Sequence, residues 1–108
     1  MKELKEEIKK FSDDRGWGVN PDARSLAISV SLEASELLEH FQWVSAEEAI
    51  KKDKQGITDE AADVFIYLLQ FAEVLGIDLI EAAHKKMKKN AMKYPVPEVE
   101  VEVEVEVD

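Results

Sequence analysis

The hydrophobic residues of this chain recur every three or four positions over most of its length, which is the spacing of α-helices. Leu4, Ile8 and Phe11 follow this spacing among Lys and Glu residues. They predict an amphipathic surface helix over residues 2–15. The glycines and the Asn-Pro pair that follow are typical of a loop, so this helix is expected to end at Gly16.

A second helix is predicted to begin at Asp22, directly after a proline, and to run to about Trp43. At about 100° per residue, its apolar side chains divide into a broad face and a narrower stripe. The broad face contains Leu26, Val30, Ala34, Leu37, Leu38 and Phe41, and the stripe contains Ile28 and Leu32. Glu33, Glu36 and His40 lie between the two, and His40 is expected to pack or to form a hydrogen bond.

The region after the second helix predicts a short helix and then a long one. Ser45 and Glu48 have the spacing of a capping box, and residues 54–56 are predicted to interrupt the short helix. The long helix is expected from about Thr58 to Leu75 and is apolar on nearly every side. A helix with so little polar surface is expected to lie at the centre of the fold.

The C-terminal part of the chain predicts one more helix and then a tail of different character. Asp78 and Glu81 form another capping-box pattern, and the helix is expected from Leu79 to about Lys93. The tail, residues 96–108, alternates Val and Glu with the period of a β-strand. It either pairs with the same tail of another subunit, packs its valine side on the helices or stays disordered.

These elements predict an all-α fold with four to five helices per chain, because the interruption at residues 54–56 can be counted either way. Residues 1–95 are expected to form one helical domain, with the tail as a separate segment. A chain of this size does not easily cover long apolar helices, so subunit association is expected to complete the bundle.

The amino-acid composition limits which ligands and partners the protein is expected to have. The chain contains no cysteine, which excludes disulfides and thiolate metal ligands. No apolar run is long enough to span a membrane and the N-terminus is not basic and then apolar, so a soluble, cytoplasmic protein is expected. The net charge is −10, but residues 98–108 carry six acids and no base, which leaves 14 Lys+Arg against 18 Asp+Glu, or −4. Such a domain can bind a phosphate ester, whereas extended nucleic acid is disfavoured.

Carboxylates at helical spacing are the strongest candidates for chemistry. Glu33 and Glu36 are three positions apart, as are Glu60 and Asp63, so each pair has Cβ atoms about 5–6 Å apart on one side of its helix. A solvated acidic stripe would explain the first pair. The second pair lies on the most apolar helix, where an unpaired buried carboxylate costs several kcal/mol unless a proton, a partner or a cation compensates it. Hard oxygen ligands favour Mg²⁺, or Mn²⁺, over Zn²⁺.

An amide, two lysines and two tryptophans complete the candidate ligand-binding residues. Asn90 interrupts the apolar face of the last helix, with Lys86 and Lys93 along its edge. Because magnesium held by carboxylates usually also contacts substrate phosphates, these side chains could complete a phosphate site. Trp17, between two glycines, either fills the helix junction or stacks on a flat ligand, and with Trp43 it could hold a base. Together these residues fit a nucleoside polyphosphate.

The two carboxylate pairs also resemble a known signature. Glu33-x-x-Glu36 followed by Glu60-x-x-Asp63 is similar to the Glu-x-x-Glu, spacer, Glu-x-x-Asp pattern of the MazG-like all-α nucleotide pyrophosphohydrolases, and the likeness extends over roughly residues 1–95. The phrases EASELLEHFQW, DEAADVFIYLLQFAEVLGIDL and KMKKNAMKYP look like the dCTP pyrophosphatase branch. The resemblance implies that a (deoxy)nucleoside triphosphate is hydrolysed between its α and β phosphates, and that these four acids bind magnesium.

The resemblance also implies roles for the other candidates and an assembly. It suggests that Trp17 and Trp43 lie near the base. It suggests that five more residues lie near the phosphates or the sugar: Tyr67, Lys86, Asn90, Lys93 and Tyr94. A homodimer or homotetramer is implied, in which helix pairs from two subunits build a four-helix core. The Val-Glu tail departs from the family pattern, and the short segment between Trp43 and Glu60 bears on the shape of the substrate pocket.

Several alternatives stay open at the level of sequence. One carboxylate is expected to act as the base for the attacking water, but the residues do not identify which. Base and sugar preference are also open, so trimming of a dCTP pool and house-cleaning of modified nucleotides are not distinguished. The chain could instead be a non-catalytic helical assembly module. A di-iron carboxylate protein would need Glu-x-x-His on two helices, and only Glu81-x-x-His84 has that form.

Overall fold

The computed structural model describes residues 1–17 and 22–97, which contain four α-helices and no strand. The helices are α1 (Lys2–Asp14), α2 (Ala23–Glu39), α3 (Ala46–Leu75) and α4 (Leu79–Lys93). The predicted all-α class is therefore confirmed. The strand pattern of the tail lies outside the described residues from residue 98 onward, and Val96 and Pro97 are irregular.

The chain divides into two compact units. The first unit is Met1–Ile77 and contains α1, α2 and α3. The second unit begins at Asp78, and its described part consists of α4 and the residues that follow it up to Pro97. In the part of the chain that the structure describes, none of the helices has both the length and the apolar character needed to cross a membrane.

Side-chain caps fix where α2 and α3 begin. The Asp22 carboxylate accepts hydrogen bonds from the backbone N–H groups of Arg24 at 2.6 Å and Ser25 at 3.2 Å. The Ser45 hydroxyl accepts a hydrogen bond from the N–H of Glu48 at 3.2 Å, as the capping pattern predicts. Each cap satisfies N–H groups that have no partner within the helix.

The second helix ends earlier than predicted. It stops at Glu39 rather than near Trp43, and residues 40–43 form turns. Trp43 has a φ of +67°, in the left-handed region that a right-handed helix does not contain. The apolar spacing continues beyond the helix through Phe41, so the pattern alone overestimates the length of α2.

The third helix is kinked at Asp53, where a φ of −158° and a ψ of 70° depart from helical geometry and two helical segments meet. The Asp53 side chain accepts a hydrogen bond from the N–H of Gly56 at 2.8 Å and thereby caps the segment beyond the kink. A Cβ atom at Gly56 would overlap the Asp53 carboxylate and lie 3.0 Å from Cε1 of His40. Glycine therefore allows the kink and α2 to approach closely, and the interruption predicted at residues 54–56 is found as a kink at Asp53 between two helical segments.

Helices α2 and α3 pack against each other as an antiparallel pair. The end of α2, at His40, lies beside Gly56, whereas the earlier residues Glu33 and Glu36 lie beside Glu60. Because moving back along α2 corresponds to moving forward along α3, the two helices run in opposite directions. The fully buried apolar residues among those described are Leu26, Ala49, Leu69 and Ala72.

The face of α2 that becomes buried differs from the predicted broad face. Leu26 is buried and Val30, Glu33 and Leu37 are half-buried, which gives a stripe with a spacing of four, three and four residues. The prediction is wrong for Ala34 and Leu38, which are exposed because each lies one residue, or about 100°, beyond a member of this stripe. Glu33 consequently lies within the packed face of the helix rather than between two apolar faces.

The predicted central position of α3 holds only in part within one chain. Leu69 and Ala72 are almost completely buried, at 2% and 1% exposure. Phe65, Val74 and Leu75 nevertheless remain 42–51% exposed. The α1 helix contributes an ion pair between Lys5 and Glu73 at 4.0 Å. One chain thus leaves much of the apolar surface of α3 uncovered.

The ends of α3 and α4 follow the predicted boundaries. Gly76 has a φ of +68°, and its N–H donates to the carbonyl of Glu73 at 3.2 Å. The N–H of Ile77 donates to the carbonyl of Ala72 at 3.0 Å, which satisfies a second free carbonyl at the end of α3. Asp78 then caps α4 by accepting a hydrogen bond from the N–H of Glu81 at 3.0 Å.

Candidate metal centre

Packing of α2 against α3 brings three carboxylates together. One carboxylate oxygen from each of Glu33, Glu36 and Glu60 lies within 4.8 Å of the other two. Glu33 and Glu36 come from adjacent turns of α2, and Glu60 comes from the segment of α3 beyond the kink. Glu33 and Glu60 are half-buried, whereas Glu36 is exposed. These three residues are called the carboxylate cluster below.

Two oxygens of the carboxylate cluster are buried without a hydrogen-bond partner. They are Oε2 of Glu33 and Oε2 of Glu60. Ionised carboxylates only accept hydrogen bonds, so two of them cannot satisfy each other without a proton between them. Burying such oxygens without compensation is costly, and the arrangement calls for a proton or a cation.

The pKa values of the cluster reflect this crowding. Burial, followed by contacts with Glu36 and Glu60, raises the pKa of Glu33 from its ordinary value of 4.5 to about 7. The pKa of Glu60 is also raised, mainly by burial and then by Glu36. Contact between the Glu33 and Glu60 carboxyl groups further raises the pKa of Glu33 and lowers that of Glu60, so a proton taken up by the pair resides mainly on Glu33.

Among the described residues, no lysine or arginine forms an ion pair with a carboxylate of the cluster. Their ion pairs all involve other carboxylates: Lys5–Glu73, Lys10–Asp14 and Lys85–Glu81. The donor set of the cluster is therefore all oxygen, anionic and partly desolvated, and its oxygens span little more than the roughly 4 Å between opposite ligands of Mg²⁺. Glu33, Glu36 and Glu60 could hold a metal ion, and a hard divalent cation suits them best.

Asp63, the fourth predicted ligand, lies outside the 4.8 Å cluster. It is exposed and is located one turn beyond Glu60 on α3. Its charge nevertheless raises the pKa of both Glu33 and Glu60, so it belongs to the same electrostatic environment. Tyr67 is half-buried one turn further along the helix. The ligand role of Asp63 and the substrate role of Tyr67 stay predictions.

A cavity of about 470 Å³ adjoins the carboxylate cluster. Glu36 and Glu60 belong both to the cluster and to the wall of this cavity. The remaining lining residues come from the end of α2, the turn after it and the first part of α3: Glu39, His40, Gln42, Val44, Ala49, Lys52 and Asp53. The volume lies within the range of about 300–1,000 Å³ that is typical of small-molecule sites. The cavity is called the cluster cavity below.

Several residues of the cluster cavity were not predicted from the sequence, among them Gln42, Lys52 and Asp53. A signal for Asp53 was available, because an Asp three residues before a glycine can cap the backbone at that glycine. Lys52 carried no such signal, since it lies in a run of lysines and its place in the cavity wall depends on how α2 and α3 pack.

The two tryptophans occupy different settings. Trp43 is 96% exposed and stands between Gln42 and Val44, both of which line the cluster cavity. Trp17 is 64% exposed, and its ring meets the edge of Phe11 with centroids 5.8 Å apart. This contact is with the helix that precedes Trp17, so its predicted packing at a helix junction and its predicted role near a base both stay predictions.

The remaining predicted site residues lie in the second unit. Lys86, Asn90, Lys93 and Tyr94 occupy the last two turns of α4 and the residue after it. Asn90 is half-buried and the other three are exposed. The Lys93 ammonium group lies 5.4 Å from the centroid of the Tyr94 ring. Their substrate-binding roles stay predictions.

The residue pair considered for a di-iron site also lies on α4. The side chains of Glu81 and His84 are exposed. The Glu81 carboxylate forms an ion pair with Lys85 at 3.1 Å. Neither residue belongs to the carboxylate cluster.

The fold and the site define an all-α protein in which an antiparallel helix pair carries a candidate divalent-metal centre. The MazG-like family model matches residues 28–106. The chain belongs to the MazG-like family, which confirms the resemblance noted in the sequence.

The relatives agree with this assignment. The dCTP pyrophosphatase 1 of Mus musculus is 34% identical over 92 residues, an alignment that covers 81% of this chain and 54% of the mouse protein. The Homo sapiens protein of the same name is 31% identical, with 80% and 54% coverage. The chain thus spans about half the length of these relatives. A pyrophosphatase from Archaeoglobus fulgidus has a crystal structure that superposes with a TM-score of 0.83 at 43% identity, covering 89% of this chain and 93% of that one.

Proposed function

We propose that this protein hydrolyses (deoxy)nucleoside triphosphates to nucleoside monophosphates and pyrophosphate with the help of Mg²⁺. The observation that carries the proposal is the carboxylate cluster with its two buried, unpartnered oxygens. Its support from the comparisons is that the relatives are named dCTP pyrophosphatase 1 and the similar crystal structure is described as a pyrophosphatase. House-cleaning of the nucleotide pool, including dCTP or modified deoxynucleotides, is the corresponding biological role.

In this proposal Glu33, Glu36 and Glu60 hold the cation, with Asp63 as a further ligand. Bound Mg²⁺, or Mn²⁺, would polarise phosphoryl oxygens and favour deprotonation of water. A water oxygen forms a bond to the α phosphorus while the bond from that phosphorus to the bridging oxygen breaks, so pyrophosphate leaves. One carboxylate of the site accepts the proton of the attacking water.

Other residues hold the substrate in this proposal. Trp43 is suited to stack on the base, because its indole is exposed beside the cluster cavity and an aromatic–base stack is worth about 1–3 kcal/mol. Trp17 is the second aromatic candidate. The proposed contacts to phosphate or sugar are Tyr67, Lys86, Asn90, Lys93 and Tyr94. Extended nucleic acid is not expected as a partner.

We further propose that the protein forms a homodimer or homotetramer. The side of α2 that faces away from α3 carries Ile28, Leu32 and Leu38, which are 49%, 61% and 62% exposed. Phe65 on α3 is 42% exposed. Association with a second copy would remove these exposed apolar side chains from water. Sedimentation velocity tests the assembly, and a monomer at micromolar concentration would contradict it.

The reaction is tested directly with a panel of canonical and modified (d)NTPs in Mg²⁺, including dCTP, with the products resolved by phosphorus NMR. The proposal predicts one pyrophosphate and one nucleoside monophosphate per turnover. Glu36→Gln serves as the inactive control. Release of orthophosphate would contradict cleavage between the α and β phosphates. Failure to turn over any nucleotide with Mg²⁺ or Mn²⁺ would contradict the enzymatic role and favour an assembly role.

A further inference from the structure

One positively charged side chain, that of Lys52, lines the cluster cavity, and the proposed metal site does not explain its role. We propose that Lys52 binds the triphosphate group of the substrate as that group reaches the metal centre. This inference rests on the proposed function, since it assigns a phosphate-binding residue to the same site. It concerns a residue of the first unit, near the carboxylates, rather than the lysines of α4.

Lys52 lines the same cavity as Glu36 and Glu60, two members of the carboxylate cluster. It is the sole lysine or arginine among the described residues of the cavity wall. The neighbouring lysines of the same run, Lys51 and Lys54, do not line it. Position on α3 therefore distinguishes Lys52 from otherwise similar side chains.

The ammonium group of Lys52 is not consumed by an ion pair. Four carboxylates line the cavity with it, including Glu39 and Asp53 as well as two of the cluster. Even so, none of the described carboxylates lies within the 4.0 Å of an ion pair with Lys52. The charge is thus available to an incoming anion.

The negative charge of the cavity wall explains why a lysine would help to bind the substrate there. A nucleoside triphosphate carries several negative charges, and it would approach a wall that carries four carboxylates. Three ionised carboxylates of the cluster outweigh the two charges of a divalent cation, so a further positive group nearby favours the phosphates. A lysine is a compact cation that suits this task.

The kink of α3 holds the backbone of Lys52 beside the cavity. Lys52 is the last residue before Asp53, where the helix departs from regular geometry. The Asp53 side chain is fixed by the N–H of Gly56 at 2.8 Å, and Gly56 lies close to His40. Asp53 and His40 also line the cavity. The backbone that carries Lys52 is therefore anchored on the same wall.

A phosphate-binding role and a structural role of Lys52 predict different changes in Mn²⁺ affinity when the lysine is removed. A lysine with a purely structural role would affect binding only through the fold, so its loss would lower the melting temperature and weaken both metal and nucleotide binding. A lysine that binds phosphate repels a cation when nucleotide is absent. Its removal should leave the Mn²⁺ affinity unchanged or increase it, while nucleotide affinity falls.

The experiment compares the wild type with Lys52→Met, Lys52→Arg and the control Lys51→Met in the full chain. Calorimetric titration with MnCl₂ alone measures metal binding, and titration with the α,β-imido analogue of dCTP in Mg²⁺ measures nucleotide binding. Steady-state kinetics with dCTP give kcat and KM. Circular dichroism melting checks that each variant folds.

For Lys52→Met we expect the dissociation constant of the analogue and the KM to rise about tenfold or more, as for the loss of a charge-assisted contact. Lys52→Arg should recover most of this loss, and Lys51→Met should behave as the wild type. Unchanged nucleotide binding in Lys52→Met, or a parallel loss of Mn²⁺ binding, would overturn the inference. A wild type that binds the analogue but hydrolyses no nucleotide would contradict the proposed reaction, while the analogue titration would still decide the role of Lys52.

Discussion

Carboxylates occur in two very different settings in this protein. On α1, Asp14 is exposed and forms an ion pair with Lys10 at 2.7 Å, one helical turn away. Between α2 and α3, Glu33 and Glu60 are half-buried, and each has one oxygen without a hydrogen-bond partner. On α1, Lys10 compensates the charge of the carboxylate. Between α2 and α3, the two oxygens have no such partner among the described residues, so a proton or a cation must compensate the charge.

The comparison teaches that the spacing of acids along a helix does not by itself identify a site. An exposed pair at i,i+4 is worth only a few tenths of a kcal/mol and is screened by salt. Carboxylates that are packed between helices without a cation oppose folding until a proton or a metal ion compensates them. Substitutions in the two settings should therefore differ strongly in their effects on activity and stability.

Neutralising a member of the carboxylate cluster should abolish turnover. Glu36→Gln is expected to lower kcat/KM by more than about 100-fold, because even the outer partners of metal ligands are typically worth 10–100-fold. Asp63→Asn, which removes the charge of the fourth predicted ligand, should also abolish turnover while leaving the fold intact. The matched control is Glu7→Gln on α1, which should keep wild-type activity. Wild-type kinetics in Glu36→Gln, with the fold intact, would remove the cluster from the mechanism.

Gly56→Ala should destabilise the protein. The new Cβ atom would overlap the Asp53 carboxylate, which can move only by giving up its hydrogen bond to the N–H of residue 56. We expect the free energy of unfolding to fall by about 1–3 kcal/mol, measured by urea denaturation. The control Lys54→Ala should be nearly neutral. In an ordinary helix interior, glycine to alanine stabilises by about 1 kcal/mol, so a gain in stability would contradict the packing at the kink.

Stability without metal should depend on pH through Glu33. Its pKa is about 7 in the folded protein and 4.5 ordinarily, so the folded state binds the proton more tightly than the unfolded state. The stabilising contribution is complete below about pH 4.5 and is lost as the pH rises through about 7. In EDTA the melting temperature should therefore fall over this window by more in the wild type than in Glu33→Gln.

Saturating Mg²⁺ provides the control for this pH effect. The cation competes with the proton, so its stabilisation should grow as the pH rises and should remove the loss seen in EDTA. Identical pH profiles for wild type and Glu33→Gln would show that Glu33 is not a perturbed group.

The smallest effect is expected at the exposed ion pair. Asp14→Asn should change the free energy of unfolding by less than about 0.5 kcal/mol, because both partners are solvent-exposed. The change should shrink further in 0.5 M salt, near a Debye length of only a few ångström. Thermal melting at low and high salt measures it. A loss comparable to that in Gly56→Ala would mean that this pair matters far more than its exposure allows.

Much of the fold followed from the spacing of apolar residues and caps. The bounds of α4 and the start of α3 at Ser45 agree with the structure because capping side chains act locally on the next backbone turn. The end of α2 was predicted too late because the spacing of apolar residues does not indicate the left-handed conformation of Trp43. The kink at Asp53 was placed slightly too late because its cap precedes the glycine that the pattern highlights.

The acidic residues of the candidate site could be predicted from the sequence, but the residues that surround them could not. Glu33, Glu36 and Glu60 stand out because carboxylates interrupt apolar helices. Their meeting depends on the antiparallel packing of α2 and α3, and so does the place of Lys52 in the cavity wall. Packing is a property of two helices together, which the spacing within either one does not determine.

Binding of a divalent cation by the carboxylate cluster can be measured by calorimetric titration of the full chain with MnCl₂ at pH 7.5. We expect saturable binding in the wild type and in Glu7→Gln. We expect binding to be lost, or weakened by more than about 100-fold, in Glu33→Gln and Glu60→Gln. Equal Mn²⁺ affinity in all four proteins would contradict metal binding by the cluster.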